Sequence, residues 1–240
     1  MALGIKTRAL RLRDWFFKER IPPLRRLLGD TTEHGELRCL MRLALDAPNR
    51  FLVDVGANDG IKASNSYGLI LRDWEAILIE PYPPCFEKLR QLHESNRKVR
   101  LVNSACGLTH GELDLYLGKD GEGAGYATLC TDDTEWFRVT RTGVSVRVPV
   151  SPLTTILEQN SCPPSFALLS VDTEGFDLQV LESLDFERFR PFVIITEDDP
   201  ILLPPPPEYC TDKNKYELLR QQGYDFIRSF SRNSVWKFHR

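Results

Sequence analysis

Three groups of acidic residues stand where strand-like runs end, and each suggests a chemistry. The first follows FLVDVG: Asp54 lies near the end of a run of strand formers, and Gly56, Asn58, Asp59 and Gly60 form the turn behind it. The second is Glu80, which with Pro81 ends EAILIEP and lies 24 residues after Gly56. That is close to the spacing at which an acid reaches a ribose hydroxyl. A carboxylate suits a vicinal diol because it can accept two hydrogen bonds. The third comprises Asp172 and Glu174 after FALLSV, with Glu197, Asp198 and Asp199 after FVIIT. Adjacent parallel strands would bring Asp172 near Glu197. Two nearby carboxylates can raise one pKa towards a useful base, or hold a hard divalent cation that lowers a substrate's pKa. The alternative is structural: Glu174 caps the next helix and Asp198–Asp199 opens a turn.

A glycine turn after a strand commonly cradles phosphate, with G-x-G-x-x-G and a helix N-terminus facing pyrophosphate. Here the spacing is Gly56-x-x-x-Gly60, and Asp54 and Asp59 would oppose a phosphate's charge. Unit charges about 4 Å apart at an effective dielectric near 20 interact by roughly 4 kcal/mol. A nucleoside carrying positive charge fits better, and S-adenosylmethionine has a ribose, a sulfonium and an ammonium group but no phosphate.

The elements that must place these acids alternate strand and helix from Phe51 onward. FLVDVG, EAILIEP (75–81), VRLVNSACG (99–107), FALLSVD (166–172) and FVIITE (192–197) read as buried parallel strands. Helices are expected over Ser66 to Asp73, along CFEKLRQLHES, around Leu153–Gln159, through Phe176, Val180, Leu181 and Leu184, and along KYELLRQQG, which Gly223 ends. GELDLYLG (111–118) and VSVRVPV (144–150) alternate as half-exposed strands that pair with each other. The long segment between them, with Tyr126 and Trp136, is a candidate acceptor-gripping loop or one anchored to its own core. Four consecutive prolines make 198–209 a stiff surface loop, and YDFIRSFSRNSVWKF reads as a terminal hairpin. The sum is an α/β sandwich with a mostly parallel sheet, whose ligand crevice lies beyond the strands' carboxyl ends.

At 240 residues, 42% hydrophobic and 27% charged, the chain has the size and composition of one large soluble domain. It has no apolar run of membrane-spanning length and no signal-peptide pattern at its start. Six scattered cysteines without a CxxC pair favour a reducing, cytoplasmic setting over disulfides or zinc. The net charge of −3 divides into +6 over residues 1–28 and −9 beyond. We therefore divide the chain into a basic N-terminal helical arm, 1–48, and a body, 49–240. The arm either packs its apolar side on the body or rests on a partner or an anionic membrane surface. The acidic body argues against nucleic acid as a partner.

DVGANDG, SNSYGLIL, LIEPYPPCFEKL, VNSACG and LLSVDTEGFDLQVLESLDFERFRPFVIITED together resemble the FkbM family of methyltransferases over about residues 50–200. The resemblance implies a Rossmann-like class I methyltransferase sandwich, with a seven-stranded, mostly parallel sheet and an antiparallel C-terminal hairpin. It also implies methyl transfer from S-adenosylmethionine, typically to a hydroxyl of a sugar, glycan or other small natural product. Carried residue by residue, Asp54, Gly56, Asn58 and Gly60 match the cofactor loop, and Glu80 with Pro81 the ribose-binding acid. Asn103, Ser104 and Ala105 fall where the adenine is often flanked. Asp172, Glu174 and Gly175 match the acidic motif after a strand, and Glu197 the acid ending the next. Many members carry lysine where this chain has Ser170, so any chemistry that lysine assists is done without it here.

For deprotonating a hydroxyl, Asp172, Glu174 and Glu197 are the candidate catalytic residues. His34, His93, His110 and His239 are expected at the surface, with only His34 near a lid. Whether a divalent cation takes part is left open. Two other functional classes share this layout: a nicotinamide-dependent oxidoreductase, and a non-catalytic adaptor that uses the basic arm.

Overall fold

Phe51–Val55, all buried, form β1, an interior strand of the main sheet. The computed structural model describes residue 25 and residues 29–119, 127–129, 141–198, 212–230 and 232–239. Ahead of β1 comes α1 (Leu37–Leu43) with a 3-10 turn, Ala44–Asp46. Then follow α2 (Tyr67–Ile70), β2 (Glu75–Ile79), α3 (Pro83–His93), β3 (Val99–Val102), β4 (Ala105–Cys106), β5 (Gly111–Gly118) and β6 (Arg141–Ser151). The chain continues through α4 (Leu153–Gln159), β7 (Ser165–Val171), α5 (Asp177–Glu182), β8 (Arg190–Glu197), α6 (Asp212–Gln221), β9 (Tyr224–Phe230) and β10 (Asn233–Phe238).

The main sheet has seven strands in the order β3-β2-β1-β7-β8-β10-β9. Only β10 runs against the others, antiparallel to both β8 and β9. This is the class I architecture expected from the sequence. The order reverses between β1 and β7, so a crevice opens there beyond the strand ends.

Side chains alternate across the sheet. Val53, Val55, Ile77, Ile79, Leu169, Val171 and Ile194 pack with α4, α5 and α6 on one face. Leu52, Leu78, Leu168, Val193 and Ile195 pack on the other with Leu37 and Leu40 of α1, Leu69 and Ile70 of α2, and Leu89 of α3. Asp54 and Ser170, partners in the β1–β7 register, fall on this second face near the open end.

The expected third strand, 99–107, is split. β3 pairs with β2, but Ala105 and Cys106 pair with Val150 and Ser151 of β6 in a separate three-stranded sheet, β4-β6-β5. The Asn103 side chain marks the break: its Nδ2 donates to the carbonyls of Glu80 (2.8 Å) and Pro81 (3.2 Å). The expected 111–118 and 144–150 pair is the antiparallel β5–β6 ladder of this small sheet. The helix expected over 66–73 is a single turn, with Asp73 in the left-handed region at φ 71°.

No helix among the described residues is long and apolar enough to cross a membrane. Most of the basic arm, the loop residues Tyr126 and Trp136, and the proline run lie outside the described residues.

Candidate active site

One cleft lies over the carboxyl ends of β1, β2, β7 and β8, and its floor is the turn after β1. Gly56 has φ 86°, and a Cβ there would stand 1.9 Å from the carbonyl oxygen of Asp172. Only glycine allows the two chain segments this close. The turn's amides are already used: Gly56 N and Ala57 N both donate to Ile79 O at 3.0 Å, and Gly60 N donates to Ala57 O at 2.9 Å. Asn58, in the left-handed region at φ 51°, donates its amide to Glu80 Oε2 at 2.8 Å. These amides therefore do not converge on an anion.

Glu80 is 6% exposed, and its Oε1 accepts from Tyr82 N at 2.7 Å. Burial pushes its carboxyl up to about 7 against these two amides, and the charges of Asp54 and Asp59 add to the rise. Each carboxylate oxygen has spent one acceptor position on the backbone and keeps another. Pro81, Ser104 and Ala105 continue this wall of the cleft.

Asp59 is not at the cleft as the sequence suggested. Its Oδ1 accepts from Ile61 N and Lys62 N, both at 2.9 Å, so it closes the next turn. The acid rim of the crevice is thus Asp54 and Glu80. Gly60 and Asn103 also lie outside the lining. A Cβ on Gly60 would meet Leu89 Cδ1 at 2.5 Å, so this glycine lets the turn press on α3. Asn103 holds the strand ends together by the carbonyl bonds given above.

Asp54 is 4% exposed. Burial raises its pKa, while hydrogen bonds from the Ser66 and Ser170 hydroxyls work against the rise. Ser170, where the family resemblance led us to look for lysine, is buried in this contact.

At the other end of the cleft, Asp172, Glu174 and Glu197 each place a carboxylate oxygen within 4.8 Å of the others. The β7–β8 register pairs Val171 with Thr196, which sets the following residues side by side as the sequence implied. Glu174 reaches the group through a left-handed backbone, φ 53°, followed by Gly175 at φ 97°. Burial, then the neighbouring Asp177, pushes the Asp172 carboxyl up to about 7. Glu174 and Glu197 are raised by burial first and by Asp172 next, while Arg232 pulls them back. The Arg232 guanidinium bonds Glu197 and lies 3.8 Å from Glu174. Three acids facing one resident cation can keep a proton and exchange it near neutral pH. They also form a donor set for a hard divalent cation, which would compete with Arg232.

Asp177 fixes the spacing of these acids. One oxygen accepts from Thr173 N at 2.9 Å, and the other from Thr196 Oγ1 at 2.7 Å and Glu197 N at 3.0 Å. Asp198 is separate from the group. It accepts from Ser234 Oγ (3.0 Å) and Tyr216 OH (3.1 Å) and lies 3.6 Å from the buried Lys215 Nζ. Asp199 lies outside the described residues.

Arg232 and Glu33 line the cleft and were missed from sequence. Arg232 was accessible in principle, because it precedes Asn233, which pairs with Glu197 once the hairpin is laid against β8. Glu33 carried no such signal. Phe176, Leu115, Ala127 and Leu129 supply an apolar wall, most of it from the small sheet and its flank. None of the four histidines lines the cleft. His93 is buried beside Tyr67, with ring centroids 6.4 Å apart, rather than at the surface.

The family described as Methyltransferase FkbM domain matches residues 54–226. No curated protein matches the chain. Among solved structures, a methyltransferase from Geobacter sulfurreducens is similar in fold, with TM-score 0.50 and 12% identity over 97% of this chain and 90% of that one. The S-adenosylhomocysteine-bound methyltransferase PaMTH1 of Podospora anserina gives TM-score 0.50 and 12% identity over 95% of this chain and 88% of its own.

Proposed function

The chain belongs to the FkbM methyltransferase family, and from that premise we propose that it methylates a hydroxyl oxygen of a sugar, glycan or other small natural product, using S-adenosylmethionine. The observation that carries this reading is a single cleft with Glu80 at one end and Asp172, Glu174 and Glu197 at the other.

The residues present fit the cofactor. Gly56 lets the turn after β1 close against the end of β7, and the amides of Gly56, Ala57, Asn58 and Gly60 are bonded within the protein and offer nothing to a pyrophosphate. Glu80 keeps acceptor positions suited to the ribose diol, beside Ser104 and Ala105 for the base. Asp54 places a buried carboxyl group near the switch point. When bound, S-adenosylmethionine supplies a methyl group activated on a sulfonium.

The protein's remaining task is to orient a hydroxyl and accept its proton. Asp172, held near 7 by burial and by Asp177, is suited to take that proton at neutral pH. Arg232 restrains Glu174 and Glu197, which are left to hold neighbouring acceptor hydroxyls. Phe176, Leu115 and Leu129 give the cleft an apolar wall that excludes water.

The test has two stages. Thermal unfolding of the full chain should shift upward with S-adenosylmethionine and with S-adenosylhomocysteine; no shift with either overturns the cofactor assignment. Mass spectrometry of a glycan and metabolite pool incubated with methyl-labelled donor should then find label on oxygen. Label only on nitrogen or carbon would replace the hydroxyl by another acceptor.

A further inference from the structure

The loop Ser64–Ser66, between the glycine turn and α2, sends two hydrogen-bond relays into Asp54. In one, the Ser64 and Ser66 hydroxyls are 3.1 Å apart and Ser66 bonds Asp54. In the other, Asn65 Nδ2 donates to Ser170 Oγ at 3.3 Å, and Ser170 bonds Asp54. The polarity of the second relay follows from its end. An ionised Asp54 only accepts, so the Ser170 hydroxyl gives it a hydrogen and in turn accepts one from Asn65. That orients the Asn65 amide, with nitrogen towards Ser170 and oxygen away from it.

The amide oxygen, Oδ1, is buried and has no hydrogen-bond partner among the described residues. Asn65 is 6% exposed and lines the same cleft as Asp54. A buried acceptor left unpaired is costly enough that a donor supplied by a ligand would be held well. The strand order identifies which part of the cofactor can supply that donor. Glu80 stands on the β2 side of β1, whereas Asn65 is tied to Ser170 on the β7 side. The ribose hydroxyls and Asn65 therefore belong to different ends of the cleft.

We propose that Asn65 is a binding residue for the amino group of the cofactor's methionine portion, its Oδ1 accepting an ammonium hydrogen beside the Asp54 carboxylate. This assignment rests on the cofactor reading above. It makes the Asn65–Ser170–Asp54 chain the part of the cleft that distinguishes a nucleoside bearing an amino acid from one without it.

Calorimetric titration of the full chain with two thioether probes tests this. S-adenosylhomocysteine carries the amino-acid portion, and 5′-methylthioadenosine lacks it. In Asn65→Leu, S-adenosylhomocysteine should bind at least tenfold more weakly, while methylthioadenosine keeps its wild-type affinity within about twofold, a selective loss typical of one hydrogen bond to a charged group. Should Asn65→Leu fail to fold, Asn65→Ala carries the same expectation. Unchanged affinity for both probes, or an equal loss for both, overturns the assignment and leaves the cofactor reading standing. A wild-type chain that binds neither probe overturns both.

Discussion

The carbonyl oxygen of Asp172 occupies the place a Gly56 side chain would need, 1.9 Å from the ideal Cβ. The first residue after β7 and the turn after β1 are thus one packing unit, so the donor end and the acid group share a backbone contact. Gly56→Ala must move one of them and adopt φ 86° with a side chain. It should cost about 3 kcal/mol of stability and remove S-adenosylhomocysteine binding, read by chemical denaturation and calorimetry. Wild-type stability in this variant would show that the contact yields freely.

Glu80 should couple stability to pH. Burial carries its carboxyl from its ordinary 4.5 to about 7 in the folded chain. The folded state therefore holds an extra proton between those values. The resulting stabilisation is complete below about pH 4.5 and is lost as pH climbs through 7. Glu80→Gln removes this titration, so the stability difference between wild type and variant should change by about 3 kcal/mol between pH 4.5 and 8. Parallel denaturation curves at the two pH values would contradict the burial argument. Glu80→Ala should also weaken S-adenosylhomocysteine binding more than tenfold.

Asp172 should set the pH profile of methyl transfer. With its carboxyl pushed up to about 7, its basic form grows through that value. With an identified acceptor, kcat/KM should rise to a plateau above about pH 7. Asp172→Asn should lower kcat by about 100-fold or more and leave S-adenosylhomocysteine affinity within about twofold. An unchanged profile in the variant would move the base elsewhere.

Lys215 should matter to folding but not to ligand binding. Its side chain is 2% exposed, and its ammonium bonds the carbonyl of Glu197 and faces Asp198. Lys215→Met leaves Asp198 buried without that charge, at a cost of about 3 kcal/mol. S-adenosylhomocysteine affinity at low temperature should hold. A large loss of affinity with no loss of stability would give Asp198 a role in the cleft.

Strand ends were the legible part of this chain. Period-2 and continuous apolar runs place Asp54, Glu80, Asp172 and Glu197 at carboxyl ends, and parallel pairing brings them together. Side-chain direction was not legible. Asp54 and Asp59 look equivalent in DVGANDG, yet one is trapped under the Ser66 and Ser170 hydroxyls and the other bonds two turn amides. Long-range partners were also hidden. Glu33 lines the cleft because the segment before α1 is tied down far along the chain, by Thr31 Oγ1 to Ser64 O at 3.0 Å and by Asn233 Nδ2 to Glu36 Oε1 at 2.9 Å. The split of 99–107 could not be read either, since Ala105 leaves the main sheet only because β6 is available to pair with it.

The small sheet stands on its own apolar cluster of Ala105, Leu115, Leu129, Val148 and Val150, and meets the main body through Tyr82 and Phe176. One flank of the cleft, carrying Leu115, Ala127 and Leu129, is therefore built by a module with its own core. Exchanging that module between relatives would reshape this flank of the cleft, and because it begins at Ala105 the change would reach the donor wall as well.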